Sequence, residues 1–332
     1  MYSFFKKIFI GIGAIIVAAI LFFTILWLPS FNPPKEIKFG VSFSKSYADY
    51  LELDWKEAYL AILDELHPSL LRLQSDWDKT ELSEGNFDFA ALDWQVSEAE
   101  KRGIDVLLVI GRRQPRWPEC HVPEWLTGVP EVEVRDRALE FIKTTVLRYK
   151  DSPSLVMWQV ENEPLLNAFG ECPPADLNFL KQEIALVKSL DDHPVLVTDS
   201  GELSTWRKTA HLGDYFGTTI YRRVYSDYCG YFHHFFAPAF YRLKAKLFGL
   251  SSEKIIISEL QAEPWMPDGK ESRGSLEEQK SVMDNEFIRK QIEFATKTGF
   301  SEAYIWGAEW WYWAKTQGDE SIWNIGKEIW QP

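Results

Sequence analysis

The chain has 332 residues, of which 46% are hydrophobic and 26% charged, and its formal net charge is −13. The apolar content is sufficient for a buried core and excludes an intrinsically disordered chain. The 49 acidic residues are spread along the sequence, and with the negative net charge they argue against nucleic acid as a partner.

Residues 8–28 form an uncharged apolar run that is long enough to cross a bilayer as a helix. Lys6 and Lys7 precede it, and by the positive-inside tendency they keep the N-terminus in the cytoplasm and place everything after Pro29 outside. No small-residue cleavage site follows the run, so the pattern favours an uncleaved signal anchor over a cleaved signal peptide. The expected location is a single-pass position in the cell membrane.

The remaining chain shows no low-complexity tract and alternates short β-rich runs with amphipathic segments. The predicted division is a cytoplasmic N-terminus, a transmembrane signal anchor, a linker and one folded domain, at residues 1–7, 8–28, 29–36 and 37–332. The eight predicted strands cover residues 37–43, 70–74, 105–110, 155–160, 195–198, 215–221, 254–258 and 302–306.

Helical patterns separate these strands, with apolar residues recurring at three- and four-residue spacing. They cover residues 89–102, 134–149, 176–190, 235–248 and 277–298. Eight strands with crossover helices in about 300 residues predict an α/β fold, a closed (β/α)8 TIM barrel preceded by one transmembrane helix. An open doubly wound sheet is the alternative, but the segment after the first strand lacks its glycine-rich nucleotide loop.

A glutamate follows each of two predicted strands, and side chains at the C-terminal ends of barrel strands form the active site in this architecture. Asn162-Glu163-Pro164 follows the fourth strand, and Glu259 follows the seventh. Strands three positions apart in an eight-membered ring face each other across its mouth. Such opposed carboxyls, about 5–5.5 Å apart, are what hydrolysis of a glycosidic bond with retention requires.

Glu161 and Glu263 are alternatives to Glu163 and Glu259, because each lies close to one of them in sequence. The position of Glu259 directly after an unbroken apolar strand favours it over Glu263. A raised pKa is expected for Glu163 beside the negative Glu259, as a general acid near neutral pH requires. Asn162 is expected to direct its amide at the 2-hydroxyl of the sugar.

This pattern resembles the large clan of retaining glycosidases with (β/α)8 barrels, which includes the cellulase-like glycoside hydrolase family 5 and relatives acting on β-galactosides and β-xylosides. Members carry an Asn-Glu-Pro signature after strand four and a second Glu after strand seven. The resemblance implies that Glu163 is the acid/base and Glu259 the nucleophile, in a catalytic domain at residues 37–332.

Further matches extend the resemblance over residues 37 to about 313. Arg72 corresponds to the arginine that hydrogen-bonds the nucleophile region, and Tyr221 to the tyrosine that contacts the nucleophile. Trp306 corresponds to the strand-eight tryptophan beneath the reacting sugar. Trp77, in a segment like the second strand and helix of the clan, is a further candidate for substrate binding.

Trp310 lies in an apolar segment after strand eight that is interpreted as a loop, and it is a candidate for contact with the sugar. The chain also departs from family 5. Thr219 stands where that family has a histidine two residues before the tyrosine. The histidine-asparagine pair that tends to follow strand three is replaced by a segment containing Arg112, Arg113 and Arg116.

The three arginines have two interpretations: they line the substrate groove and bind an acidic or sulfated glycan, or they form structural ion pairs. Cys120 and Cys172 fall in loops after adjacent strands and are predicted to form a disulfide. The six histidines show no metal-ligand spacing, so neither a metal nor a cofactor is expected.

The sequence therefore predicts a membrane-tethered glycosidase that cleaves β-linked O-glycosides of an oligo- or polysaccharide by double displacement. Its expected partners are the carbohydrate substrate and the membrane. A non-catalytic cell-surface barrel that only binds glycans is the alternative from another class, and a transglycosidase would use the same residues. The sugar, endo or exo action and the oligomeric state stay open.

Overall fold

The computed structural model describes residues 2–267 and 274–331, with side chains from residue 5 onward, and its centre is a ring of eight parallel strands. The strands are β1 Lys38–Ser42, β2 Leu70–Gln74, β3 Asp105–Ile110, β4 Leu155–Val160, β5 Val195–Asp199, β6 Tyr215–Ile220, β7 Ile255–Gln261 and β8 Glu302–Trp306. Their order around the ring is β1-β8-β7-β6-β5-β4-β3-β2, and it closes. The predicted barrel is confirmed, and the open sheet is excluded.

Successive strand residues point alternately into the barrel and outward to the helices, as expected for a pleated sheet. One buried cluster takes side chains from six strands, namely Leu70, Leu107, Met157, Leu196, Ile256 and Tyr304. Their neighbours Val106 and Leu108 instead belong to the large cluster that includes the helices. Both faces of the sheet are therefore apolar, which explains the nearly continuous apolar runs in the sequence.

The helices are α1 Tyr2–Leu26, α2 Lys45–Tyr50, α3 Trp55–Ala61, α4 Trp77–Thr80, α5 Ala90–Lys101, α6 Glu131–Tyr149, α7 Leu177–Leu190, α8 Pro238–Leu247, α9 Leu276–Val282, α10 Asn285–Thr298, α11 Ala308–Thr316 and α12 Ser321–Trp330. The single helix predicted at 277–298 is wrong, because it is divided into α9 and α10. The Asp284 side chain accepts the Phe287 N–H and begins a new helix there.

The connection from β5 to β6, residues 200–214, contains turns and no helix, and the structure describes all of it. Within the described residues, two short hairpins lie outside the barrel, Glu81–Ser83 with Asn86–Phe87 and Arg223–Ser226 with Gly230–His233. A disulfide joins Cys120 and Cys172 across the connections after β3 and β4, which confirms the predicted bridge. Cys229 is free and exposed.

Within α1, Phe5–Leu26 is one apolar stretch of 22 residues that is long enough to cross a membrane. The helix ends two residues before the predicted boundary at Leu28. Its last turns contact the barrel: Leu26 is buried with Ala237 and Ala239 at the beginning of α8, and the Phe23 ring lies 5.6 Å from that of Phe235.

Candidate active site

Arg72 connects the side chains at the C-terminal ends of β2, β4 and β7. Its guanidinium is buried, and its Nη1 donates to Glu259 Oε1 at 3.1 Å. Its Nη2 donates to Asn162 Oδ1 at 3.0 Å, and its Nε donates to Gln159 Oε1 at 2.9 Å. A planar guanidinium with fixed donor directions therefore sets the relative positions of three strand ends.

A β-bulge positions Glu259. The register between β6 and β7 shifts between Ile257 and Glu259. The strand continues to Gln261, beyond its predicted end at Ser258. Bulges re-aim side chains at the rims of barrels. Glu259 Oε2 accepts a hydrogen bond from the Tyr221 hydroxyl at 2.7 Å, so both carboxylate oxygens of Glu259 have a donor. Arg72 and Tyr221 thus both contact the Glu259 carboxylate.

Glu163 lies in a turn with unusual backbone geometry. Its φ is +44°, and that of Glu161 is +59°, values that are rare for residues other than glycine. The Glu163 N–H donates to Thr198 Oγ1 at 2.9 Å, and the Thr219 hydroxyl donates to Glu163 Oε1 at 2.9 Å. Strained backbone maintained by such contacts is typical of functional sites.

Burial raises the pKa of Glu163 well above its usual value, and the negative charges of Glu259 and Glu119 raise it further. The hydrogen bond from Thr219 acts in the opposite direction. Burial and Glu259 raise the pKa of Tyr221 as well, so that its hydroxyl stays a donor. Burial and the neighbouring charges therefore favour the protonated form of Glu163, while Glu259 accepts hydrogen bonds from a guanidinium and a hydroxyl.

The two alternative glutamates have structural partners. Glu161 accepts hydrogen bonds from the backbone N–H groups of Arg112 at 2.8 Å and Arg113 at 2.7 Å. Gly111, with φ +107°, makes room for this carboxylate, because a Cβ there would clash with it. Glu263 forms a bidentate ion pair with Arg116. Both carboxyls therefore stabilise the connection after β3, which carries Arg112, Arg113 and Arg116.

Trp306 is at the end of β8 and is 6% exposed. The Arg116 guanidinium lies between two rings, 3.5 Å from the centroid of Tyr47 and 3.9 Å from that of Trp306. In this structure one face of the predicted sugar platform is therefore covered by a cation that Glu263 and Glu309 neutralise.

Two predicted substrate-binding tryptophans are not accessible. Trp77 is fully buried, stacks on Phe141 and donates its indole N–H to Glu81. Trp310 is also fully buried and donates to Gln279. The segment interpreted as a loop is helix α11, whose apolar residues pack into the core. Helical packing therefore explains its apolar character, and the structure places neither ring on an open surface.

The three arginines after β3 are engaged within the protein. Arg112 pairs with Glu131, and Arg113 donates to the carbonyls of Leu166 and Phe169. Arg116 pairs with Glu263 as described above. These contacts correspond to the structural interpretation. None of the three guanidinium groups, all of which the structure describes, is free to bind an acidic or sulfated glycan.

The sequence interpretation missed several polar residues of the site. Gln159 and Thr219 are polar positions in otherwise buried strands, a signal that could have assigned them to the interior of the barrel. Glu119 carries no such signal, because it lies in an irregular connection. Among the described residues, no group of three or more His, Cys, Asp or Glu side chains could hold a metal ion.

No protein-family model matches the chain. It is similar to mannan endo-1,4-beta-mannosidase F of Aspergillus fumigatus, with 29% identity over 132 residues that cover 37% of this chain and 29% of the relative. It is also similar to mannan endo-1,4-beta-mannosidase 2 of Oryza sativa subsp. japonica, with 28% identity over 152 residues that cover 36% and 32%. The matched part spans about a third of the length of these relatives.

Among solved structures, the barrel is similar to a GH5_18 protein from Bifidobacterium longum subsp. longum. The TM-score is 0.59 at 14% identity, covering 82% of this chain and 70% of that chain. Xylanase 10B from Thermotoga petrophila RKU-1 has a TM-score of 0.55 at 17% identity, covering 83% of both chains. At these identities the likeness shows the fold. In its sequence and in its closed barrel, the chain therefore resembles the (β/α)8-barrel glycoside hydrolases of the clan that includes the cellulase-like family 5 and its relatives.

Proposed function

We propose that the chain is a retaining glycoside hydrolase that cleaves β-linked O-glycosidic bonds of an oligo- or polysaccharide. The observation that carries this proposal is the pairing of Glu163 and Glu259 at one rim of the barrel, in environments that differ in charge. The relatives named as mannan endo-1,4-beta-mannosidases support a glycosidase and make β-1,4-mannan the first polysaccharide to test.

In the first step, the protonated Glu163 donates its proton to the leaving oxygen while the Glu259 carboxylate attacks the anomeric carbon. The glycosidic bond breaks, and a covalent glycosyl-enzyme forms on Glu259. Arg72 and Tyr221 hold the attacking carboxylate through hydrogen bonds to its two oxygens. This contribution is one of position, because the attacking atom must approach the anomeric carbon from the face opposite the leaving oxygen.

In the second step, Glu163, now ionised, takes a proton from water, and the resulting nucleophile releases the sugar from Glu259 with net retention. Asn162 donates its amide to the 2-hydroxyl of the sugar, a bond that tightens as the oxocarbenium-like state forms. Both steps use carboxyls and water, so no metal or cofactor has a role in the proposed reaction.

We also propose that residues 8–28 anchor the protein and that residues 37–332, the catalytic domain, lie on the extracytoplasmic side, after the linker at 29–36. The apolar stretch Phe5–Leu26 supports the anchor. Lys6 and Lys7 support a cytoplasmic position for residues 1–7.

The experiment is turnover of aryl β-glycosides and β-1,4-mannan by the wild type, Glu163→Ala and Glu259→Ala. Azide is expected to rescue Glu259→Ala with an inverted product, because it enters from the face that the carboxylate vacates. Glu163→Ala should retain most activity on substrates whose leaving group needs no proton. Equal turnover by all three proteins would contradict the mechanism, and bound but uncleaved glycan would indicate the non-catalytic barrel.

A further inference from the structure

A third carboxyl, that of Glu119, lies beside the two proposed catalytic glutamates. It is 5% exposed, and its Oε2 is 3.4 Å from the Asn162 amide nitrogen, which donates to it. When ionised, it raises the pKa of Glu163, and the charge of Glu259 raises the pKa of Glu119 in turn. Glu119 therefore belongs to the same cluster of side chains, although neither step described above uses it.

The position of Glu119 is fixed by its surroundings. Its φ is +72°, its N–H donates to the Arg116 carbonyl at 2.7 Å, and its own carbonyl accepts the Gln114 N–H at 2.7 Å. A Cβ on Gly170, whose φ is +87°, would lie 2.7 Å from the Glu119 Cβ. The next residue, Cys120, is tied by the disulfide. The carboxyl is thus directed toward Asn162 before any ligand binds.

The contacts of this carboxyl are long for a buried group. The hydrogen bond from Asn162 is at the upper limit of the usual range, and Arg113 Nε is 3.7 Å away, beyond hydrogen-bond distance. Arg113 Nε itself lacks a hydrogen-bond partner among the described residues. A buried carboxyl with such contacts gains from a closer polar partner, and a ligand hydroxyl beside Asn162 would supply one.

The position of Asn162 indicates which hydroxyl this is. Asn162 directly precedes Glu163 and shares the Arg72 guanidinium with Glu259. In the proposed reaction its amide would therefore lie beside the anomeric carbon on which both glutamates act. The hydroxyl nearest that carbon is the one on the adjacent ring carbon, C2. We propose that Glu119 is a specificity-determining residue that binds this 2-hydroxyl together with Asn162, an inference that rests on the proposed glycosidase function.

Amide and carboxyl together match the two hydrogen-bonding capacities of a hydroxyl, because the amide donates and a carboxyl oxygen accepts. Burial raises the pKa of Glu119 to about 8, against the opposing effect of Arg113. Near neutral pH this carboxyl is therefore mostly protonated. It can bind a hydroxyl without adding a further negative charge beside Glu259.

The test compares kcat/KM of the wild type, Glu119→Ala and Glu119→Gln on three 4-nitrophenyl glycosides. These are the β-D-mannoside, the β-D-glucoside and the 2-deoxy glycoside that both epimers have in common. In Glu119→Ala, the preference for the better 2-hydroxy substrate over the 2-deoxy one should fall about 10- to 100-fold, the size expected for one good hydrogen bond. Glu119→Gln keeps the shape and an acceptor, and should lose less of this preference.

A double-mutant cycle with Asn162→Ala provides a second readout, because two residues that bind one hydroxyl should give non-additive losses. The inference would be overturned if kcat/KM fell by the same factor on the 2-hydroxy and 2-deoxy substrates in both Glu119 variants. Glu119→Gln is included because a folding defect would also lower the activity of Glu119→Ala. That result would leave the proposed function intact, provided that Glu259→Ala is inactive. A wild type inactive on every glycoside and on β-1,4-mannan would overturn the function and this inference together.

Discussion

Burial and the charge of Glu259 both oppose the ionisation of Glu163 and so raise its pKa. Thr219 opposes this tendency, since its hydroxyl donates to Glu163 Oε1 and stabilises the charged form. The sequence assigned both glutamates but treated Thr219 only as a departure from family 5. Its contact depends on how β4 and β6 are placed across β5, which no local pattern contains.

Thr219→Val is expected to raise the pKa of Glu163 further, because it removes a hydrogen bond that favours the carboxylate. The alkaline limb of the pH profile of kcat/KM, where Glu163 loses its proton, should therefore move to higher pH. The neighbouring Thr218→Val is the control, since that hydroxyl donates to the Thr219 carbonyl at 3.3 Å. A limb that moves to lower pH in Thr219→Val would refute this assignment.

Arg72→Met should lower the free energy of unfolding by about 3–5 kcal/mol, because it leaves the carboxylate of a buried ion pair unpaired. The side chains of Arg72 and Glu259 are 1% and 6% exposed. Urea denaturation followed by circular dichroism measures the loss. Arg289→Met, which breaks the exposed pair with Glu328, is the control and should leave the unfolding midpoint nearly unchanged. Similar losses in the two variants would argue against a structural role for Arg72.

At the level of secondary structure, the strands were predictable because buried parallel strands are short, apolar and bounded by polar residues. The bulge in β7 was not, since it arises from pairing with β6 and β8. The same limit applies to Trp310. An apolar run of five residues is compatible with a loop that binds sugar or with a buried helix, and only the packing of α11 decides between them.

The disulfide between Cys120 and Cys172 fixes the connection that carries Glu119. It closes a loop with a sequence separation of 52, and in the chain-entropy model such a cross-link stabilises the fold by about 4 kcal/mol. Cys172→Ser should lower the free energy of unfolding by about that amount in urea denaturation. Cys229→Ser changes an exposed free thiol and is the matched control. If the free energies of unfolding of Cys172→Ser and Cys229→Ser were the same, the bridge would not contribute to stability.

On the scale of the whole molecule, the prediction of the fold succeeded because eight alternations of strand and crossover leave few topologies. The exact arrangement of the site did not follow, because the contacts of Arg72 with Gln159 and of Asn162 with Glu119 form only after the ring has closed. The candidate membrane span is predictable from the sequence by itself, since it is recognised by its length and composition.

The full chain is expected to stay in the membrane pellet after an alkaline carbonate wash. Ile16→Lys with Ile20→Lys should move it to the soluble fraction with its glycosidase activity retained, because two charges in the middle of the span disfavour insertion. Both isoleucines are exposed and belong to no buried cluster of the barrel, so the change should not affect the fold. A wild type released by the carbonate wash would contradict the anchor.

Covalent trapping tests the double-displacement mechanism most directly. The wild type is incubated with the activated 2-deoxy-2-fluoro analogue of its best aryl glycoside, digested and mapped by mass spectrometry. The account predicts one fluorosugar attached to Glu259, and, for the natural substrate, a first-formed product that proton NMR shows to have the configuration of the starting glycoside. A label on Glu263 or another residue, or a first product of inverted configuration, would contradict it.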